Sequence, residues 1–140
     1  VAFTALGARV ILFGPEEFVS EGGWLPGVET CHDFDSRLSE LDAIQVLRIQ
    51  HERIEGGMAL SVQEYVDRFQ LNEDRLAKCG PEMCVLHPGP MNRGVEISDA
   101  VADGPQSRIL QQVAAGVPVR MALLERALGN QRDSGHGDRH

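Results

Sequence analysis

Two stretches carry side chains that could do chemistry, Arg48-Ile49-Gln50 and His87-Pro88-Gly89-Pro90-Met91-Asn92-Arg93. In extended backbone alternate residues face the same way, so Arg48 and Gln50 share one side and Ile49 takes the other. A planar guanidinium holds a carboxylate through two parallel hydrogen bonds, and a neighbouring amide adds donors and an acceptor. That pairing suits a small dicarboxylate. An arginine at a strand end is also a common solvated residue, so chemistry alone leaves both readings open. In the second stretch Pro88 and Pro90 each fix φ and lack a backbone N–H, and the residue ahead of each is steered out of the α region. Gly89 removes the side chain between them, which lets a ligand approach the backbone. The expectation is a stiff loop with outward-facing carbonyls. A plain strand-to-loop turn would use the same residues, but Asn92 and Arg93 add hydrogen-bonding groups and weigh toward a site.

Other chemistries fit poorly. His51-Glu52-Arg53 lacks the second histidine of an H-E-x-x-H zinc motif. The three cysteines are Cys31, Cys79 and Cys84, an odd set without a C-x-x-C pair. The C-x4-C spacing of Cys79 and Cys84 has no accompanying His/Cys set, so free buried thiols in a reducing compartment are expected rather than zinc. No metal and no cofactor is expected. The net charge of −8 argues against nucleic acid and anionic membranes as partners. Local charge can still differ, because Arg48, Arg53 and Arg93 could converge. No run reaches the length of a membrane-spanning helix, and no charged-then-apolar leader opens the chain.

The elements that must position these residues read as alternating strands and helices. The 140 residues suffice for one domain, burying roughly 70% of its unfolded surface. Val1 to Gly7 reads as the end of a helix stopped by Gly7. Opening inside a helix without an initiator methionine, the chain is expected to be a fragment or separated domain. Arg9 to Gly14 is a β-branched and aromatic strand, and Glu16 to Val19 could start a short helix. Trp24 lies in a Gly/Pro-rich loop, either as a contact residue or as a ring packed beneath it. Val28 to His32 is a second strand. Asp33 to Leu41 follows as a helix, capped by Asp35 or Ser36, with Phe34, Leu38 and Leu41 on one face. Ala43 to Leu47 is a third strand that runs into Arg48.

Gly56-Gly57 is a hinge or a plain linker. Ser61 to Phe69 is a helix with a capping box from Ser61 to Glu64, and a short helix begins at Asn72. Met83 to Leu86 is a fourth, buried strand, placing the His87–Arg93 loop at a carboxyl end, where open α/β sheets bind ligands. Asp99 to Asp103 reads as a polar turn. Ser107 to Leu128 is amphipathic, with a kink or a break expected at Gly116 and Pro118. Gly129 to His140 has no apolar anchor and is expected to be a disordered tail. The fold class is therefore α/β, a Rossmann-like doubly wound parallel sheet of about four strands with helices on both faces.

The run His87-Pro88-Gly89-Pro90-Met91-Asn92-Arg93-Gly94-Val95-Glu96-Ile97 resembles the signature loop of the aspartate carbamoyltransferases, and Leu47-Arg48-Ile49-Gln50-His51-Glu52-Arg53-Ile54 resembles their aspartate-binding segment. The two motifs stand in the right order. The resemblance covers residues 1–128, the C-terminal, aspartate-binding half of such an enzyme. Ornithine enzymes are less similar, because they usually carry a cysteine in the loop.

The resemblance implies transfer of a carbamoyl group from carbamoyl phosphate to L-aspartate, giving N-carbamoyl-L-aspartate and phosphate in pyrimidine biosynthesis. It assigns Arg48 and Gln50 to the aspartate carboxylates, and the backbone carbonyls of Pro88 and Gly89 to the reacting amino groups. It implies supporting roles for Glu52 (steadying Arg48), Arg53 (bridging to another domain), Pro90 (through a cis Gly89–Pro90 bond) and Arg93. Glu52 and Arg53 read equally well as surface charges. The carbamoyl phosphate motifs of the N-terminal domain do not occur here, so no catalytic residue is assigned and the chain alone is expected to be inactive. The resemblance also implies a mobile loop near Gly56-Gly57, a cytoplasmic homotrimer of full catalytic chains, and regulatory or dihydroorotase chains as further partners. A non-catalytic transcarbamoylase-like assembly domain, or a transcarbamoylase for another amino acid, are the alternative readings.

Overall fold

The computed structural model describes residues 2–19, 26–49 and 60–133. Helix α1 (Ala2–Ala5) ends at Gly7, whose φ of 84° lies in the left-handed region a helix stop uses. Strand β1 (Val10–Phe13) pairs in parallel with β2 (Val28–Cys31), Val10 opposite Val28 and Phe13 opposite Cys31. Between them Glu16 to Val19 forms a single turn rather than a helix, with the N–H groups of Phe18 and Val19 both donating to the Pro15 carbonyl.

The segment expected as an α-helix after β2 is a 3-10 helix, Phe34–Glu40. Neither expected cap acts as one. Asp33 takes the cap position without a side-chain bond, the Asp35 carboxylate is occupied by Arg75 and Lys78, and Ser36 Oγ donates to the Asp33 carbonyl. The tighter winding still buries Phe34 and Leu38. Phe34 meets Phe13 edge-to-face, with ring centroids 5.3 Å apart.

Strand β3 (Ala43–Gln45) pairs in parallel with β4 (Cys84–Leu86). The Val46 N–H carries the ladder one step further by donating to the Leu86 carbonyl at 2.9 Å. On its other edge β4 bonds residues 106–108: the Val85 N–H donates to Gln106 O, and the Arg108 N–H to Val85 O. With backbone on both edges, Val85 is fully buried. Among the described residues the strands are four, paired in parallel as two separate ladders, with no β1–β3 ladder. Such short strands leave the two pairs joined through side chains of the common core, which Phe13, Phe34, Leu38 and Ile44 share.

Helix α2 (Val62–Phe69) opens with the expected capping box, Ser61 accepting from the Glu64 N–H and Glu64 accepting from the Ser61 N–H. Helix α3 (Glu73–Leu76) is capped by Asn72. The expected polar turn at 99–103 is a short helix, α4 (Asp99–Ala102), because Ser98 caps it and Val101 and Ala102 bury its inner side. Helix α5 (Ile109–Asp133) runs unbroken through Gly116 and Pro118. A proline removes one backbone hydrogen bond, and the rungs on either side carry the helix past it. The segment 129–133, expected to be disordered, belongs to this helix, while 134–140 lie outside the described residues. Ile109 is buried, whereas Leu110, Val117, Met121, Leu124 and Leu128 are more than half exposed.

Candidate functional site

Register places the two motifs side by side. In a parallel pair both chains leave the ladder at the same end. Gln45 stands opposite Leu86, so Arg48 follows β3 where His87 follows β4. Asn92 then ties the exits together, its Nδ2 donating to the Ile49 carbonyl at 2.8 Å. Ile49 packs against the core and Arg48 is exposed, the alternation expected of extended chain. No described residue pairs with the Arg48 guanidinium. Gln50, Glu52 and Arg53 lie outside the described residues, as do Trp24 and Gly56-Gly57.

The loop is stiffened from inside. Pro88 and Pro90 are exposed, the Gly89–Pro90 peptide is cis, and Gly89 has φ 69°, a conformation that favours glycine. The Gly89 N–H donates to His87 Nδ1 at 2.9 Å. No described group donates to the carbonyl oxygens of Pro88 or Gly89. Beneath the loop His87 is fully buried and Glu96 nearly so. His87 Nε2 lies 3.2 Å from Glu96 Oε1, which also accepts the Asn92 N–H. Glu96 Oε2 is buried and unpartnered among the described residues. The Tyr65 phenol is pushed up to about 12, first by burial and then by the Glu96 charge.

Arg93 points elsewhere. It binds Asp103 through both terminal nitrogens at 2.8 Å and Asp99 at 2.8 Å. The hydrogen bonds it donates, to Asp103 first and Asp99 second, hold it well above the usual arginine range. Its described contacts tie the loop to α4. Pro90 sits in the loop itself.

His87 and Glu96 are the residues that sequence reasoning missed, while Asn92, read there as a hydrogen-bonding group of the loop, binds Ile49. A glutamate set between the apolar Val95 and Ile97 is the signal that could have found Glu96. Among the described residues no group of three His, Cys, Asp or Glu could hold a metal ion, and no helix is long and apolar enough to cross a membrane. The three thiols are free and partly exposed, and burial pushes the Cys79 thiol up.

Fold and edge together define a Rossmann-like α/β domain with a candidate ligand edge at the carboxyl ends of β3 and β4. Residues 2–127 match the family described as aspartate/ornithine carbamoyltransferase, Asp/Orn binding domain. The chain belongs to this family. Over 116 residues it is 49% identical to the aspartate carbamoyltransferase catalytic subunit of Stenotrophomonas maltophilia, covering 83% of this chain and 37% of that one. The aspartate transcarbamoylase of Trypanosoma cruzi in complex with carbamoyl phosphate is similar at 26% identity and TM-score 0.59, over 69% of this chain and 30% of that one. The ornithine carbamoyltransferase of Burkholderia thailandensis shares the fold at TM-score 0.68 and 18% identity, over 89% and 40% of the two chains. The chain spans about two fifths of the length of the curated relatives it matches.

Proposed function

We propose that this chain is the aspartate-binding half of an aspartate carbamoyltransferase acting in pyrimidine biosynthesis. The observation that carries the reading is the Asn92–Ile49 hydrogen bond, which holds Arg48 and the carbonyls of Pro88 and Gly89, unbonded among the described residues, on one edge. A guanidinium beside outward carbonyls suits a molecule with carboxylates at one end and an amine at the other. Arg48 and Gln50 take the carboxylates of L-aspartate, and the two carbonyls accept from its amine and from the carbamoyl NH2. The amine attacks the carbonyl carbon of carbamoyl phosphate. A C–N bond forms, the C–O bond to phosphate breaks, and a proton leaves the nitrogen as phosphate departs. Positioning of two anions and stabilisation of the tetrahedral oxyanion account for the catalysis.

Carbamoyl phosphate is held by a further domain of the longer chain, and the exposed apolar side of α5 packs on that domain. The complete chains work as a cytoplasmic homotrimer, with or without regulatory or dihydroorotase chains. The reading is supported by the names of the curated relatives and by the bound ligand of the Trypanosoma cruzi enzyme. Titrating an analogue that joins a phosphonate to aspartate tests it. Binding is expected to be tight in the complete chain and weak in these 140 residues alone. Equal tightness in both would overturn the division of labour, and binding in neither would point to an assembly domain.

A further inference from the structure

We propose that Glu96 is a positioning residue for the substrate edge: its buried carboxylate orients His87 and Asn92, and through them the Pro88 and Gly89 carbonyls and the Arg48 segment. The inference rests on the functional reading above and names the group that sets its geometry.

A single oxygen, Glu96 Oε1, receives both His87 Nε2 and the Asn92 N–H. His87 Nδ1 accepts the Gly89 N–H, so the imidazole proton sits on Nε2 and donates to Glu96. The ring therefore joins the carboxylate to the Gly89 nitrogen, which is bonded directly to the Pro88 carbonyl carbon and lies two bonds from the Gly89 carbonyl carbon. Asn92, fixed by the same oxygen, extends its Nδ2 to the Ile49 carbonyl next to Arg48. Both halves of the site hang from one atom.

Stability alone does not account for the arrangement. Burying a carboxylate with Oε2 unpartnered among the described residues carries a desolvation cost. A shape-matched apolar side chain fills such a space with less penalty. What the carboxylate supplies, and an apolar group cannot, is direction.

In the complete catalytic chain, Glu96→Leu is expected to raise the KM for aspartate about ten- to a hundredfold, as loss of one or two charge-assisted bonds implies. Carbamoyl phosphate affinity should hold within about twofold, since a general collapse would move both. Glu96→Gln keeps one acceptor oxygen and is expected to restore most of the aspartate affinity. Amide hydrogen exchange supplies a readout independent of turnover. Gly89 and Asn92 should exchange faster in Glu96→Leu, while Val85, bonded to the Gln106 carbonyl, stays protected.

An unchanged aspartate KM, or parallel loss of both substrates, overturns the proposal. Should the wild-type chain fail to carbamoylate aspartate, the functional reading falls, and exchange decides the positioning claim: unaltered rates at Gly89 and Asn92 refute it. Where Glu96→Leu does not fold, Asn92→Ala carries the test. It removes the Ile49 link alone, and an unchanged aspartate KM would again refute the proposal.

Discussion

Arg75 is the one buried Arg or Lys among the described residues, and its removal has a cost that can be worked out bond by bond. Its side chain is 9% exposed and lies 5.6 Å from the Phe34 ring centre. Nε and Nη2 bind Asp35 Oδ2 at 3.1 and 2.9 Å, while Nη1 donates to Gln70 O and Nη2 to Asp67 O, both at 2.8 Å. The two carbonyls are orphans at the end of α2, where a cation is favoured. Hydrogen bonds from a charged donor are worth about 1.5–3 kcal/mol each. Water reaches the freed carbonyls, since Asp67 is exposed and Gln70 half-buried, so the low end applies to both. The Asp35 pair adds about 0.5–1 kcal/mol, because the aspartate is 39% exposed and keeps Lys78 at 2.7 Å. Arg75→Ala is therefore expected to lower stability by about 3.5–4 kcal/mol, at the upper range for a single substitution. Arg75→Lys should recover less than half, since an ammonium cannot span acceptors on three residues. Equilibrium urea unfolding of the complete chain, followed by circular dichroism, measures both as midpoint shifts at constant slope. A loss below about 0.5 kcal/mol for Arg75→Ala, the range of ordinary surface changes, would refute the reasoning.

Two further outcomes follow from the same geometry. Arg75 first, and Lys78 second, hold the Asp35 carboxyl below the usual carboxylate range. Its stabilisation is present above the unfolded value of about 3.9 and is lost as pH falls through the lower folded value. Asp35→Asn should flatten the acid limb of the unfolding profile, modestly and less in high salt because Asp35 is partly exposed; an unchanged limb would show the pair to be inert. Arg48→Ala in the complete enzyme should cost about 1.5–3 kcal/mol per lost bond, about ten- to a hundredfold in aspartate affinity. Aspartate saturation kinetics read this directly, and an unaltered curve would remove Arg48 from the site.

Legibility in the sequence followed the range of the forces involved. Capping chemistry is local, so Ser61-to-Glu64 and Asn72 located α2 and α3 from their residue types. The loop was legible because proline and glycine act on their own backbone. Asp35 read as a cap because the partners that claim its carboxylate, Arg75 and Lys78, come forty residues later in the chain. The 3-10 winding of Phe34–Glu40 and the helical turn at Asp99–Ala102 depend in the same way on what each segment packs against. Pro118 suggested a break, yet a proline weakens a helix by one rung and a long helix absorbs it. Arg48, Pro88 and Gly89 were read as site residues, and the parallel register of β3 and β4 brings them to one edge. Glu96 and His87 escaped because a buried polar pair shows itself only when its partner is known.

The Asn92–Ile49 bond has a kinetic side as well. It spans 43 positions of the chain, and bringing ends that far apart together costs roughly 3 kcal/mol of loop-closure entropy. No local structure can form the edge ahead of the rest. The Arg48 segment meets the carbonyl loop only after β3 has found β4, itself a long-range parallel pairing of the kind that folds slowly. A partly folded chain therefore presents neither half of the proposed site in place, and the edge is assembled only together with the closed core.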